Sequence, residues 1–120
     1  MNIQSIKKIK YWIQASRIET LPLSISGIIV GSFYAFYNYS FDKIIFVLSI
    51  ITAISFQILS NIANDYGDGV LGTDNNRIGP KRVIASGKLT LEELKKGIIV
   101  NVFISITLSY SCLLYTSPSP

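Results

Sequence analysis

The sequence has no histidine and a single cysteine, Cys112, and these two shortages remove several chemistries at once. Cys/His zinc sites and histidine-based triads have no residues to build them, and an internal disulfide has no second thiol. Charge is scarce as well. Only 15% of the 120 residues are charged, against about 25% in ordinary soluble domains, while 49% are hydrophobic and the mean hydropathy is positive. A phosphate loop of the Walker type is missing, because Ser86-Gly-Lys-Leu-Thr90 lacks the upstream glycine that motif requires. No groove-reading motif accompanies the net charge of +4, so that charge does not call for a nucleic acid.

What the chain does have is apolar length. Segments near 21–39, 44–59 and 97–115 carry no charged side chain between their ends, and each approaches the roughly 17–25 residues that cross a hydrocarbon core. The second reaches that length only with the polar residues that follow it. Buried core helices of a soluble protein are the alternative, but such helices usually show a charged face. The expected fold is therefore all-α, a transmembrane helical bundle with three spans. Basic residues alternate along it: Lys7, Lys8, Lys10 and Arg17 precede the first span, Lys43 alone follows it, and Arg77, Lys81, Arg82, Lys88, Lys95 and Lys96 lie between the second and third. The positive-inside rule then places the N-terminus and the long polar loop of this multi-pass chain in the cytoplasm; the membrane expected is a bacterial plasma membrane. The long basic start and the lack of a small-residue cleavage site predict an anchored first helix and not a removed leader.

Chemistry concentrates where the second apolar run is suddenly loaded with amides and carboxylates, from Gln57 to Asp74. At about 100° per residue, with Asn61 at zero, Gln57 falls near −40°, Asn64 near −60°, Asp65 near +40° and Asp68 near −20°. All five share one helical stripe. Ionisable groups at the end of a membrane-depth helix are costly and normally face a bundle interior or a wet cavity. Two carboxylates with neighbouring amides are oxygen donors suited to Mg²⁺, which takes one or two protein carboxylates and completes its shell with water and substrate phosphate. The plain alternative is a cap or solvated turn, since Asp, Asn and Gly also dominate turns. Gly67, Gly69 and Gly72 argue against a helix continuing past the stripe, so Asp74 would reach a metal only from a loop.

Other segments have simpler readings. Residues 1–20 form an amphipathic cytoplasmic lead-in, with Ile6, Ile9, Trp12 and Ile13 able to lie on the membrane surface. Arg17 stands at the mouth of the first span, where snorkelling alone would account for it, and Pro22 suits a first helical turn. Gly27 and Gly31 form a G-x-x-x-G pair read as packing positions. Tyr34, Tyr37 and Tyr39 make an outer aromatic belt. Arg77, Lys81 and Arg82 either clamp a diphosphate or supply only positive-inside charge. Thr90 with Glu93 is a capping box. Residues 21–109 hold the three spans and the Asp-rich loop. Residues 110–120 lose the Ile- and Lys-rich character of the rest and read as a non-native tail.

Asn61-x-x-Asn64-Asp65-Tyr-Gly-Asp68, followed by Asp74, resembles the first Asp-rich motif of the UbiA superfamily of intramembrane prenyltransferases. Two flanking stretches, Trp12-Ile-Gln-Ala-Ser-Arg17-Ile-Glu-Thr20-Leu-Pro22 and Gly72-Thr-Asp74-Asn-Asn-Arg77-Ile-Gly-Pro80, are similar to the 1,4-dihydroxy-2-naphthoate polyprenyltransferases of menaquinone synthesis. The resemblance covers about residues 10–108. It implies a bundle of about nine helices with two Asp-rich motifs, of which only the first is present. It also implies that Asp65 and Asp68, supported by Asn61 and Asn64, hold Mg²⁺ on a prenyl diphosphate, with Asp74 as a further ligand. Arg17, Arg77, Lys81 and Arg82 become candidates for binding the substrates, prenyl diphosphate and dihydroxynaphthoate. Rival readings are a related enzyme using 4-hydroxybenzoate or a glycerol-phosphate lipid, and a small three-span membrane protein without catalysis.

Overall fold

A computed structural model of the chain describes residues 2–72 and 88–116. The described residues are helical, with no strand among them. Helix α1 spans Ile3–Ser16, capped by Asn2, whose side chain accepts from the Ser5 amide at 2.8 Å. It stops at Arg17, which takes a left-handed conformation with φ 50° and ψ 65°. A single 3₁₀ turn, Ile18–Thr20, turns the chain into α2, Leu21–Asn38, which carries Pro22 in its first turn.

After the turn at residues 39–42, the Asp42 carboxylate accepts from the amides of Ile44 and Ile45 at 2.8 and 3.3 Å and starts α3, Lys43–Leu71. At about 1.5 Å per residue, its 29 residues reach roughly 43 Å, so it outruns a hydrocarbon core of about 30 Å and its last turns project beyond it. Helix α4, Leu91–Thr116, opens with the capping box expected from the sequence. Glu93 N–H donates to Thr90 Oγ1 at 3.1 Å, and Thr90 N–H donates to Glu93 Oε1 at 3.2 Å. Helices long and apolar enough to cross a membrane therefore account for all three expected spans.

Two sequence expectations need correction. Helix α3 does not break at the first glycines: it runs through Gly67 and Gly69 and ends at Gly72, the residue that adopts φ 72°. A helical glycine costs about 1 kcal/mol relative to alanine. The continuing hydrogen-bond ladder, the burial of Asp65 and the partial burial of Tyr66 at this end outweigh that penalty. Gly27 and Gly31, expected to pack, take no close contact from the described residues: a Cβ there would meet no atom within 4 Å.

The close glycine contact is elsewhere. A Cβ on Gly97 of α4 would lie 2.5 Å from Cη2 of Trp12, so the indole of α1 lies directly over the α4 backbone. Around it Ala15, Ile62, Leu89 and Leu94 form a buried cluster flanked by Tyr11, Ile58, Tyr66 and Ile98. This core ties α1, α3 and the start of α4 together at the polar end of the bundle. Deeper along the α3–α4 interface, the Ser55 and Ser105 hydroxyls approach to 2.6 Å, and Ser105 donates to Asn101 Oδ1 at 2.9 Å. Interhelical hydrogen bonds in membranes average about 0.6 kcal/mol. They therefore fix register more than they add strength.

Candidate active site at the polar end of the bundle

Because α3 stays regular through Asp68, the stripe read from the sequence is one continuous helical face. Its members are not equally placed. Asn61 and Asp65 are buried at 3% and 1% exposure, Gln57 and Asp68 are half-buried, and Asn64 is exposed.

The inward members meet the segment where α1 turns into α2. Asn61 Nδ2 donates to the Ser16 carbonyl at 2.9 Å and to Thr20 Oγ1 at 3.0 Å. Gln57 Nε2 donates to Asn61 Oδ1 at 3.2 Å, and Ser24 Oγ donates to Gln57 Oε1 at 2.6 Å. Thr20 in turn gives two hydrogen bonds to the Arg17 carbonyl, from its amide at 2.9 Å and its hydroxyl at 2.8 Å. A non-glycine residue in the left-handed region costs of order 1–3 kcal/mol and persists where its surroundings over-determine it. Here those surroundings are Thr20 on the Arg17 carbonyl and Asn61 on the carbonyl just before it.

The result is the placement of Arg17. Its Nη2 donates to Asp65 Oδ1 in an ion pair whose side chains are 15% and 2% exposed. An unpaired carboxylate this deeply buried would cost several kcal/mol, so the pair answers a desolvation penalty that α3 itself creates. Arg17 Nε is buried and has no hydrogen-bond partner among the described residues. Asp68, one turn beyond Asp65, accepts from the Gly72 amide through its backbone carbonyl. The site thus sets the Asp65 carboxylate of α3 against the guanidinium at the end of α1, with Asp68 one turn further along α3 and an amide–hydroxyl chain from Ser24 to Thr20 beside them. Asp74, Arg77, Lys81 and Arg82 lie outside the described residues.

The sequence analysis marked the α3 side of this site and named Arg17, but not its pairing with Asp65, and it missed the roles of Ser16, Thr20 and Ser24. Ser16, Thr20 and Ser24 recur every four residues across the α1–α2 junction. That spacing, with the polar stripe on α3, is the signal that pairs them.

Over residues 24–119 the chain matches the UbiA prenyltransferase family. It belongs to that family. A 1,4-dihydroxy-2-naphthoate octaprenyltransferase of Escherichia coli (strain K12) is 44% identical over 103 residues, covering 85% of this chain and 33% of that protein. The enzyme of the same name from Haemophilus influenzae is 41% identical over 102 residues, covering 82% and 33%. One from Mycobacterium leprae is 29% identical over 107 residues, covering 89% and 36%. The chain spans about a third of the length of these curated relatives. No solved structure matches it. With its three apolar helices, this UbiA-family chain is a membrane protein.

Proposed function

We propose that the chain is the N-terminal part of a prenyltransferase of menaquinone biosynthesis. The enzyme transfers a polyprenyl group from its diphosphate to 1,4-dihydroxy-2-naphthoate, with loss of the acceptor's carboxyl group. The observation that carries this reading is the meeting of Asp65 and Arg17 at the polar end of α3, with Asp68 one turn further on. The names of the relatives supply the acceptor. In this reading the protein sits in a bacterial plasma membrane; the excess of basic residues before the first span and between the second and third supports a cytoplasmic N-terminus.

Asp65 and Asp68 offer only oxygen donors from adjacent turns, a donor set that fits Mg²⁺. They would hold the ion, with Asp74 as a third ligand. When bound, Mg²⁺ supplies Lewis-acid stabilisation of the charge on the diphosphate. Arg17, Arg77, Lys81 and Arg82 bind the same anion, arginine bidentately and lysine as a point charge. Asn61 holds the Arg17 segment in place, and Asn64 presents its amide on the open side of the stripe. As the bond to diphosphate breaks, the electron-rich ring captures the allylic carbon. The apolar helices keep out water, which would otherwise quench that carbon.

The test is an assay of the full-length protein with Mg²⁺, a prenyl diphosphate and one of three acceptors: dihydroxynaphthoate, 4-hydroxybenzoate or a glycerol-phosphate lipid. Prenylation of the naphthoate is the expected result. Exclusive use of either other acceptor would move the protein to another branch of the family, and use of none would remove the catalytic reading.

A further inference from the structure

Asp65 is both the most buried carboxylate of the stripe and the partner of Arg17. A divalent cation arriving at Asp65 meets a guanidinium already on that oxygen, and two like charges in one poorly solvated site repel. The Arg17 backbone is not free to retreat, because Thr20 holds its carbonyl and Asn61 holds that of Ser16. Only the side chain can swing. Its Nε is already desolvated and unpaired among the described residues. A diphosphate would therefore give the guanidinium more hydrogen bonds than the one Nη2 donation to Asp65 that it makes among the described residues.

We propose that Arg17 is an exchangeable counter-ion: it occupies Asp65 in the ligand-free site and yields the carboxylate to the divalent cation when a diphosphate is present to receive it. The inference rests on the metal and diphosphate reading above and adds an order to it. Cation alone binds poorly, cation with diphosphate binds well, and by linkage each raises the affinity for the other. A cytoplasmic cation therefore does not fill the site before the substrate arrives.

The experiment uses the full-length protein in detergent, with Mn²⁺ as a spectroscopic substitute for Mg²⁺ and inorganic pyrophosphate as the anion. Electron paramagnetic resonance reads bound Mn²⁺. Arg17→Gln should bind Mn²⁺ alone at least about tenfold more tightly than the unmodified protein, and Arg17→Lys should stay within about threefold of it. Equal or weaker binding of Mn²⁺ alone by a monodisperse Arg17→Gln protein overturns the exchange. A second measurement needs no variant: in the unmodified protein, pre-formed Mn²⁺–pyrophosphate should bind at least about tenfold more tightly than Mn²⁺ alone. Equal affinities overturn the proposal as well. Asp68→Asn separates the two layers of the argument. If it leaves all Mn²⁺ binding intact, the metal reading itself fails. If it abolishes binding while Arg17→Gln changes nothing, only the exchange fails.

Discussion

Thr20 shows how much of the site depends on one hydroxyl. It donates to the Arg17 carbonyl and accepts from Asn61, so it joins the left-handed turn to the α3 stripe. Each such bond contributes about 0.5–1.5 kcal/mol net, and a buried group left without its partner costs more. Thr20→Val keeps the shape and removes both bonds. It should lower kcat/KM for prenyl diphosphate by roughly tenfold, equivalent to about 1.4 kcal/mol, whereas Thr20→Ser should stay near the unmodified value. Equal kinetics for the two variants would show that the hydroxyl positions nothing. At this scale the sequence was half legible. Periodicity placed Gln57, Asn61, Asp65 and Asp68 on one face, because a helix fixes that angle. The left-handed turn at Arg17 is held partly by Thr20 and partly by Asn61, forty-odd residues away, and the four-residue spacing of Ser16, Thr20 and Ser24 does not by itself say which helix they meet.

Among the elements, α1 is held by shape more than by charge. Lys8 meets Glu93 at 2.8 Å and Lys88 meets Gln14 at 2.9 Å, but the Lys8 side chain is 46% exposed, and pairs of that kind contribute about 0–1 kcal/mol. The indole of Trp12 on the bare backbone of Gly97 is the less replaceable contact. Gly97→Val would drive a branched side chain into that ring, and overpacking of this kind costs about 1–3 kcal/mol. Limited trypsin digestion of the full-length protein in membranes should then cut faster at Lys7, Lys8 and Lys10. An unchanged cleavage rate would mean that α1 is anchored by something other than this contact. The spans, the Thr90–Glu93 box and Pro22 in the first turn of α2 were all readable from composition and spacing. The helical end of α3 was not, because glycine propensity is a local quantity and the burial of Asp65 and partial burial of Tyr66 that override it are tertiary.

For the molecule as a whole, the polar end is packed and the α2 face is not. Leu23, Val30 and Phe33 are 82%, 70% and 71% exposed, and the chain covers about a third of its relatives' length. A site that must shield an allylic cation needs walls on every side, and α1–α4 supply only some of them. The 120-residue chain expressed alone in membranes should therefore give no prenylated naphthoquinol above an Asp68→Asn control, even with saturating Mg²⁺ and both substrates. Product formation above that control would mean the remaining walls are dispensable. The most direct measurement of the central claim is prenyl transfer by the full-length protein carrying Asp65→Asn or Asp68→Asn. Membrane insertion should be verified in both. Each change keeps the size of the side chain and removes its charge. Turnover should fall by more than about a hundredfold in each variant, as when a key electrostatic group is removed from an active site. Near-normal turnover in both at saturating Mg²⁺ would contradict the account.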